Sequence, residues 1–131
     1  MDKKYSTKII ATDDEGLQMI SAYCGGAEVK IANIKYLQKN KVFLLFLKRT
    51  KIETESKEKK VNSICRFEFV DSVKSKNIKQ GNTELALELI AMNFLKNNEN
   101  HEISLIFTNN TYITLSIEII EVTLEDQIEI N

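Results

Sequence analysis

Basic side chains are the residues of this chain whose types and spacing most directly suggest chemistry. Arg66, Lys74 and Lys76 share the solvent-facing parity of a long alternating segment, and Arg49 ends the apolar run before it. Guanidinium and ammonium groups that converge on one surface bind anions such as phosphate. We therefore consider Arg49, Arg66, Lys74 and Lys76 a candidate anion-binding set, although Glu68 interrupts the row and equally fits an ordinary solvated face.

Metal and nucleophilic chemistry have few candidate residues in this chain. Its one histidine, His101, falls in a predicted turn, and Cys24 and Cys65 are far apart in sequence, so the ligand spacing of a zinc site is lacking. No histidine base is predicted beside a serine or cysteine nucleophile. We expect the cysteines to be reduced and buried. We also expect no catalytic residue, metal or cofactor, which argues against an enzyme, unless the fold builds a deep pocket from distant groups.

The acidic residues 13–15 are explained by the start of a helix. Thr12 and Glu15 match a capping box, in which the two side chains accept hydrogen bonds from open backbone N–H groups. The apolar residues that follow recur at helical spacing: Leu17, Ile20 and Cys24. Gly25 and Gly26 then end the helix, because glycine adopts the left-handed cap conformation without steric cost.

Strands are predicted on both sides of this helix. Residues 9–11 form a short first strand, and residues 28–37 alternate but change parity midway. A regular strand cannot bury both halves on one face, so we predict a bulge or sharp bend near Ala32 and Asn33. The continuous apolar run 42–47 then predicts a central strand that forms a hairpin with the preceding one.

The second half of the chain alternates more regularly. Residues 61–76 predict one long strand with a core face and a wet face. Further on, a two-residue loop would place Phe107 opposite Tyr112, whereas a three-residue loop pairs Phe107 with Ile113 and keeps the apolar residues together. Register therefore favours a three-residue turn in which asparagine supplies the left-handed position.

Two segments are less regular. Residues 85–95 contain good helix formers, so propensity favours a helix, but their length and polar flanks also suit a buried strand. Residues 117–128 carry apolar side chains at spacings of three and four, which predicts a terminal amphipathic helix despite the β-branched Val122 and Thr123. We expect residues 1–5 to be a loose terminus and the charged residues 51–60 to be a mobile surface loop.

Composition limits the classes of function. The chain has 131 residues, 43% of them hydrophobic and 28% charged, which predicts one folded domain spanning residues 1–131. A net charge of -1 gives no general attraction to nucleic acid or to an anionic membrane. No apolar run has the length of a membrane span and no secretion signal opens the chain, so we expect a cytoplasmic protein.

Several segments are similar to those of a known family: DDEGLQMISAY, EVKIANIKYL, VFLLFLKR, RFEFVDSVKSKNI, LELIAMNF and LIFTNNTYITLSIEIIEVTLED. Through them the chain resembles, from about Lys8 to Asp126, the small bacterial proteins grouped as domain of unknown function family 2948. The resemblance implies a strand for LELIAMNF, and it implies glycine-like turns at Asn77 and at residues 109–111. After Arg49 the chain departs from the family run of Arg, aromatic, Asp, Trp, Glu. The family has no established activity, so the resemblance implies no substrate, cofactor or catalytic residue.

These observations predict an α+β fold. We expect about six or seven mostly antiparallel strands in a barrel or strongly bent sheet, one early helix and a C-terminal helix that caps an open end, similar to a pleckstrin-homology-like arrangement. For function, we expect a non-catalytic module that binds a protein or peptide through a strand edge or beside the last helix, with self-association as one form. The alternative is a binder of a small anion or phospholipid headgroup through the four basic residues.

Overall fold

A computed structural model describes residues 6–53, 59–78, 85–98 and 100–127 of the chain. In this part of the chain, one antiparallel sheet contains ten strands, and one helix, α1 (Asp14–Cys24), packs against it. The strands are β1 (Lys8–Ala11), β2 (Ala27–Lys30), β3 (Ile34–Leu37), β4 (Val42–Thr50), β5 (Lys60–Phe67), β6 (Val70–Lys76), β7 (Ala86–Asn97), β8 (Asn100–Phe107), β9 (Thr111–Ile117) and β10 (Val122–Asp126). The predicted loose terminus at residues 1–5 and the middle of the predicted loop, residues 54–58, lie outside the described residues. Within the described part of that loop, Lys51 is buried and Lys60 begins β5.

The strands follow the order β1-β10-β5-β4-β2-β7-β8-β9-β6, and β3 pairs with β4 beside β2. Within the described residues β1 and β6 end this path, so the sheet is not closed into a barrel. Buried apolar side chains from α1 and from both halves of the sheet form one core. Each fully buried leucine or isoleucine in it contributes about 1.5–3 kcal/mol relative to an exposed one.

The predicted C-terminal capping helix is wrong, and so is the fold of six or seven strands that depended on it. Residues 122–126 form the strand β10, which pairs with β1 on one side and with β5 on the other. Val122, Leu124 and Asp126 are buried and the residues between them are not, which is the two-residue period of a strand. The apolar residues of this segment have helical spacing, but pairing with strands on both sides makes the segment a strand.

The predicted long strand at residues 61–76 is two strands. The chain turns a corner at Glu68 and Phe69, after which β6 leaves the neighbourhood of β5 and pairs with β9 at the far end of the sheet. Phe69 has a φ of 56°, in the left-handed region. This conformation costs a bulky residue on the order of 1–3 kcal/mol, and no glycine or asparagine marks the corner in the sequence.

Several local predictions are confirmed. The parity change near Ala32 is absorbed by a 3-10 turn, Ile31–Asn33, that separates β2 from β3. Apart from Leu85, the segment 85–95 lies in β7, which is the strand that the family resemblance implied. A register shift between Leu89 and Ala91 moves its buried side chains from odd to even positions. Asn77 has a positive φ, as the family resemblance implied.

The hairpin of β8 and β9 has the predicted loop length with a different register. Its loop is residues 108–110, with both Asn109 and Asn110 in the left-handed region. Phe107 pairs with Thr111 and Leu105 with Ile113, two residues away from the predicted partners. A shift of two residues keeps every side chain on the predicted face of the sheet, because side chains alternate with a period of two.

The helix α1 covers an edge of β7. Its N-cap is Asp13, which accepts a hydrogen bond from the Gly16 N–H at 2.7 Å. The predicted cap, Thr12, is therefore wrong. Beyond residue 89, β7 has no pairing with β2, and the Ser21 hydroxyl accepts the hydrogen bond from the Met92 N–H at 2.9 Å instead. A helix side chain thereby takes the place of a neighbouring strand.

Candidate functional site

The four predicted anion-binding residues lie in three places. Arg49 is 1% exposed at the end of β4. Arg66 lies exposed on β5, where its Nε donates a hydrogen bond to Glu68. Lys74 and Lys76 are both exposed on one face of β6, so the structure brings only these two together. Anion binding itself stays a prediction, but Arg49 faces the interior and not the shared surface that this prediction assumed.

Arg49 is the centre of a buried charged cluster. Its Nη1 and Nη2 donate to the two carboxylate oxygens of Glu53 at 3.0 and 2.6 Å, a bidentate pair. Nη2 also donates to Asp126 Oδ1 at 2.9 Å, and Nε donates to the Ser63 hydroxyl at 3.0 Å. This planar fork of donors matches the carboxylate geometry that arginine favours.

Lys51 and Thr7 complete this cluster, which we call the charged clamp: Thr7, Arg49, Lys51, Glu53, Ser63 and Asp126. Asp126 accepts hydrogen bonds from the Ser63 hydroxyl at 2.7 Å and from the Thr7 N–H at 3.1 Å, and its Oδ2 lies 3.0 Å from Lys51 Nζ. The Thr7 hydroxyl donates to Glu53 at 2.7 Å. The clamp therefore joins the N-terminal segment to the end of β4, to β5 and to β10.

In the charged clamp, hydrogen bonds and ion pairs together affect the pKa values of the charged groups more than burial does. Burial alone would raise the pKa of the Glu53 carboxyl, but donation from Arg49 and Thr7 lowers that pKa to about 2. Burial acts in the same direction on Asp126, and donation from Ser63, Arg49, Lys51 and Thr7 likewise lowers its pKa to about 2. Burial alone would lower the pKa of Arg49, yet its two carboxylate partners raise it above its ordinary value.

The clamp is a structural device and not an open anion site. Two cations face two carboxylates, and the Arg49 donors at Nε, Nη1 and Nη2 are engaged by groups of the chain itself. An incoming anion would have to displace Glu53 or Asp126 from a buried ion pair, which is strongly unfavourable. In the described part of the chain, no group of three or more His, Cys, Asp or Glu side chains is arranged to hold a metal ion.

Sequence reasoning missed Glu53, Ser63 and Asp126 as partners of Arg49. The sequence could have indicated Asp126. If residues 122–126 form a strand, the Asp126 side chain points to the same buried face as those of Val122 and Leu124. A carboxylate on that face requires a cation or several donors. The helical interpretation of this segment hid that requirement.

The cysteines are buried and free of a disulfide. Burial raises the pKa of the Cys65 thiol, and hydrogen bonding with Cys24 adds to the rise, so the two thiols meet in the core. A buried thiol of raised pKa is a poor nucleophile. His101 lies within β8 and not in the predicted turn, with its ring 5.6 Å from that of Phe94.

A groove opens where the first half of the sheet is interrupted. Because the 3-10 turn Ile31–Asn33 separates β2 from β3, neither strand has a residue paired with Phe46 or Leu47 of β4. The space beside them has a volume of about 400 Å³. Its charged lining mixes both signs: Glu28, Lys30 and Lys48. Such a shallow, mixed surface has no charge preference of its own.

β6 is one of the strands that have a single strand neighbour among the described residues. Among the described residues β6 pairs with no strand other than β9. Near its start it also contacts Tyr36, whose hydroxyl donates to the Val70 carbonyl at 3.0 Å, and Lys41, whose carbonyl accepts from the Val70 N–H at 2.8 Å. Most side chains of β6 are exposed. The backbone of residues 72–76 therefore presents alternate N–H and C=O groups to solvent.

Comparison with known proteins gives one result. A family model described as "Protein of unknown function (DUF2948)" matches residues 7–130 of the chain. Neither the search of curated proteins nor the search of solved structures returned a match. No helix in the described residues is long and apolar enough to cross a membrane. Because the family match covers nearly the whole chain, we conclude that this protein belongs to the DUF2948 family.

Proposed function

We propose that this protein is a non-catalytic binding module that takes an extended acidic peptide segment along the open edge of β6. The observation that carries the proposal is the position of β6, a seven-residue strand with a single strand neighbour among the described residues. An extended peptide gains affinity at such an edge by completing the ladder of main-chain hydrogen bonds. Side chains next to the edge then select the peptide sequence.

Charge on β6 supports an acidic peptide. Lys74 and Lys76 lie on the same face, and neither forms an ion pair with a described residue. Their cross-strand neighbours on β9 are the uncharged Thr114 and Tyr112. A carboxylate on an added strand would lie directly across from one of these lysines, where opposite charges are favourable.

The same lysines argue against pairing with a second copy of the chain. Two antiparallel β6 edges would place Lys74 and Lys76 of one copy against those of the other, and like charges at facing positions destabilise a sheet. Lysine on an edge strand is a common means of preventing such association. We therefore favour a peptide partner over the self-associating form of this proposal.

The experiment is a titration of ¹⁵N-labelled protein with two pools of decapeptides. One pool contains Val and Thr alternating with Asp and Glu, and the matched pool has Lys in place of the acidic residues. We expect the acidic pool to shift amide signals of residues 72–76 and to slow hydrogen exchange at every second amide of β6. This alternation is specific to strand addition, because only alternate N–H groups point outward.

Charge-reversal variants provide the matched control. Lys74→Glu/Lys76→Glu should weaken binding of the acidic pool by about tenfold or more. Lys60→Glu/Lys96→Glu, which makes the same charge change on β5 and β7, should leave binding unchanged. Absence of binding, shifts confined to other strands, or a concentration-dependent dimer seen by light scattering would contradict the proposal.

A further inference from the structure

A second surface lies at the corner where β5 passes into β6. Residues 68–71 read Glu-Phe-Val-Asp and residues 118–121 read Glu-Ile-Ile-Glu, so each segment is an apolar pair between two carboxylates. The Glu68 N–H donates to the Glu121 carbonyl at 2.9 Å, and the Glu118 N–H donates to the Phe69 carbonyl at 3.0 Å. The main chains of the two segments are therefore bound side by side.

Each apolar pair is divided between the core and the solvent. Val70 is fully buried and Ile120 packs against the core, whereas Phe69 is 38% exposed and Ile119 is 51% exposed. Burial of the inner residues already explains how the corner is anchored. Burial does not explain the outer residues, Phe69 and Ile119. Together with the four flanking carboxylates they form what we call the corner surface: Glu68, Phe69, Asp71, Glu118, Ile119 and Glu121.

Backbone strain is concentrated at the same place. Most other positions of positive φ among the described residues carry glycine or asparagine, which tolerate this conformation: Gly26, Asn77, Asn98, Asn109 and Asn110. Phe69 and Lys41 are the exceptions in the described residues, and the Lys41 carbonyl accepts a hydrogen bond from the Val70 N–H at 2.8 Å. An exposed aromatic residue held in a strained conformation suggests a role in recognition, since strain of this kind accumulates at functional sites.

Charge decides which partner the corner surface fits. Glu68 is paired with Arg66, and Asp71 is paired with Lys41 at 3.0 Å. Glu118 and Glu121 form no ion pair with any residue in the part of the chain that the structure describes. Lys41, which is paired with Asp71, also interacts electrostatically with Glu118. Among the described residues, the four carboxylates of the corner therefore face two cations, Lys41 and Arg66, and the corner is acidic overall.

We propose that the corner surface docks a basic segment of a partner protein, which places an apolar side chain on Phe69 and Ile119 and its Lys or Arg residues against Glu118 and Glu121. An aromatic anchor with a charged rim is the usual anatomy of a small recognition site. This surface adjoins residues 72–76 of the β6 edge, but it uses other side chains and prefers the opposite charge. The inference consequently stands or falls independently of the peptide proposed for that edge.

The test uses decapeptides with a central Leu or Trp. In one pool the flanking residues are Lys and Arg, and in the matched pool they are Asp and Glu. We expect only the basic pool to bind, with amide shifts confined to residues 68–71 and 118–121. Phe69→Asn should weaken this binding by about tenfold or more, and Glu118→Gln/Glu121→Gln should weaken it severalfold. Leu95→Asn, which changes another exposed apolar side chain, is the matched control and should bind normally.

Thermal unfolding separates recognition from a structural role. Asparagine relieves the left-handed strain, so Phe69→Asn should unfold at the same or a higher temperature than the parent protein. If this variant fails to fold, Phe69 is a structural residue and its proposed role in recognition is overturned. Binding of the basic pool by Ile119→Asn then decides whether the rest of the corner surface takes part in recognition. Binding of the acidic pool, no binding of either pool, or undiminished binding by Ile119→Asn and Glu118→Gln/Glu121→Gln would overturn the proposal as a whole.

Discussion

Arg49 illustrates how a residue's partners decide its role. A guanidinium group suits an anion site on a surface, but this one is buried among Glu53, Ser63 and Asp126. A buried charge is stable only when its counter-ions and hydrogen bonds are complete. The charged clamp supplies both, so Arg49 stabilises the fold and does not present its charge to a ligand.

Replacing Arg49 by alanine should destabilise the protein strongly. The variant leaves the carboxylates of Glu53 and Asp126 buried with Lys51 as their remaining cation in the clamp, so we expect the free energy of unfolding to fall by about 3–5 kcal/mol. Urea denaturation followed by circular dichroism measures this change. Arg66→Ala is the control, because an exposed ion pair contributes no more than about 1 kcal/mol. Equal losses in the two variants would refute a structural role for the clamp.

At the scale of elements, α1 and β7 determine each other. The segment 85–95 has helix-forming residues, yet it becomes a strand because β2 and β8 pair with it and α1 covers the remainder of its edge. Before the register shift between Leu89 and Ala91 the odd-numbered side chains of β7 are buried, and after it the even-numbered Met92 is buried. The pairing of β7 with neighbouring strands therefore had a larger effect on its secondary structure than the helix propensity of its residues.

Ser21 should be essential to the contact between α1 and β7. Ser21→Ala leaves the buried Met92 N–H without its acceptor, so we expect a loss of about 1–3 kcal/mol in the free energy of unfolding and faster hydrogen exchange at Met92. Gln18→Ala removes a longer, more exposed contact to the Met92 carbonyl at 3.5 Å and should cost less than about 0.5 kcal/mol. If the Met92 amide exchanges at the parent rate in Ser21→Ala, this account of the edge is wrong.

Across the whole molecule, the clamp connects parts of the chain that are distant in sequence. Thr7 and Asp126 are 119 residues apart, and they exchange hydrogen bonds in both directions. Clamp residues come from the N-terminal segment, the end of β4, β5 and β10. Loss of the clamp charges therefore affects how the ends of the chain attach to the middle of the sheet.

Acid should unfold the protein by protonating Glu53 and Asp126. Their ordinary pKa values are 4.5 and 3.8, and the folded protein lowers both to about 2. A lowered pKa gives stability that is complete above about pH 5 and is lost as the pH falls toward 2, on the order of 2–3 kcal/mol for each carboxyl. Urea midpoints measured from pH 7 to pH 2 test this expectation. In Glu53→Gln/Asp126→Asn the fall should be clearly shallower, and a variant with the parental slope would contradict it.

Local pattern was enough to predict α1, the parity of the strands, the interruption at Ile31–Asn33 and the asparagine turn between β8 and β9. These features depend on neighbours within a few residues, which the sequence displays directly. Binding through a strand edge or beside a last helix was also predicted, and binding stays a prediction. Which strands lie at an edge of the sheet was not predicted, because it depends on the order of strands in the completed sheet.

Only the tertiary structure decided the corner at Phe69, the strand β10 and the partners of Arg49. Asp126 lies 77 residues from Arg49, and Ser63 meets Asp126 through the pairing of β5 with β10. Such contacts arise from the register of distant strands, which is set by the burial of the whole sheet and not by any short segment. The sequence by itself determined which side chains face inward where the alternation is regular, as in β5, β8 and β9, and the assembled sheet determined the inward side chains of β7 and β10 and which side chains meet.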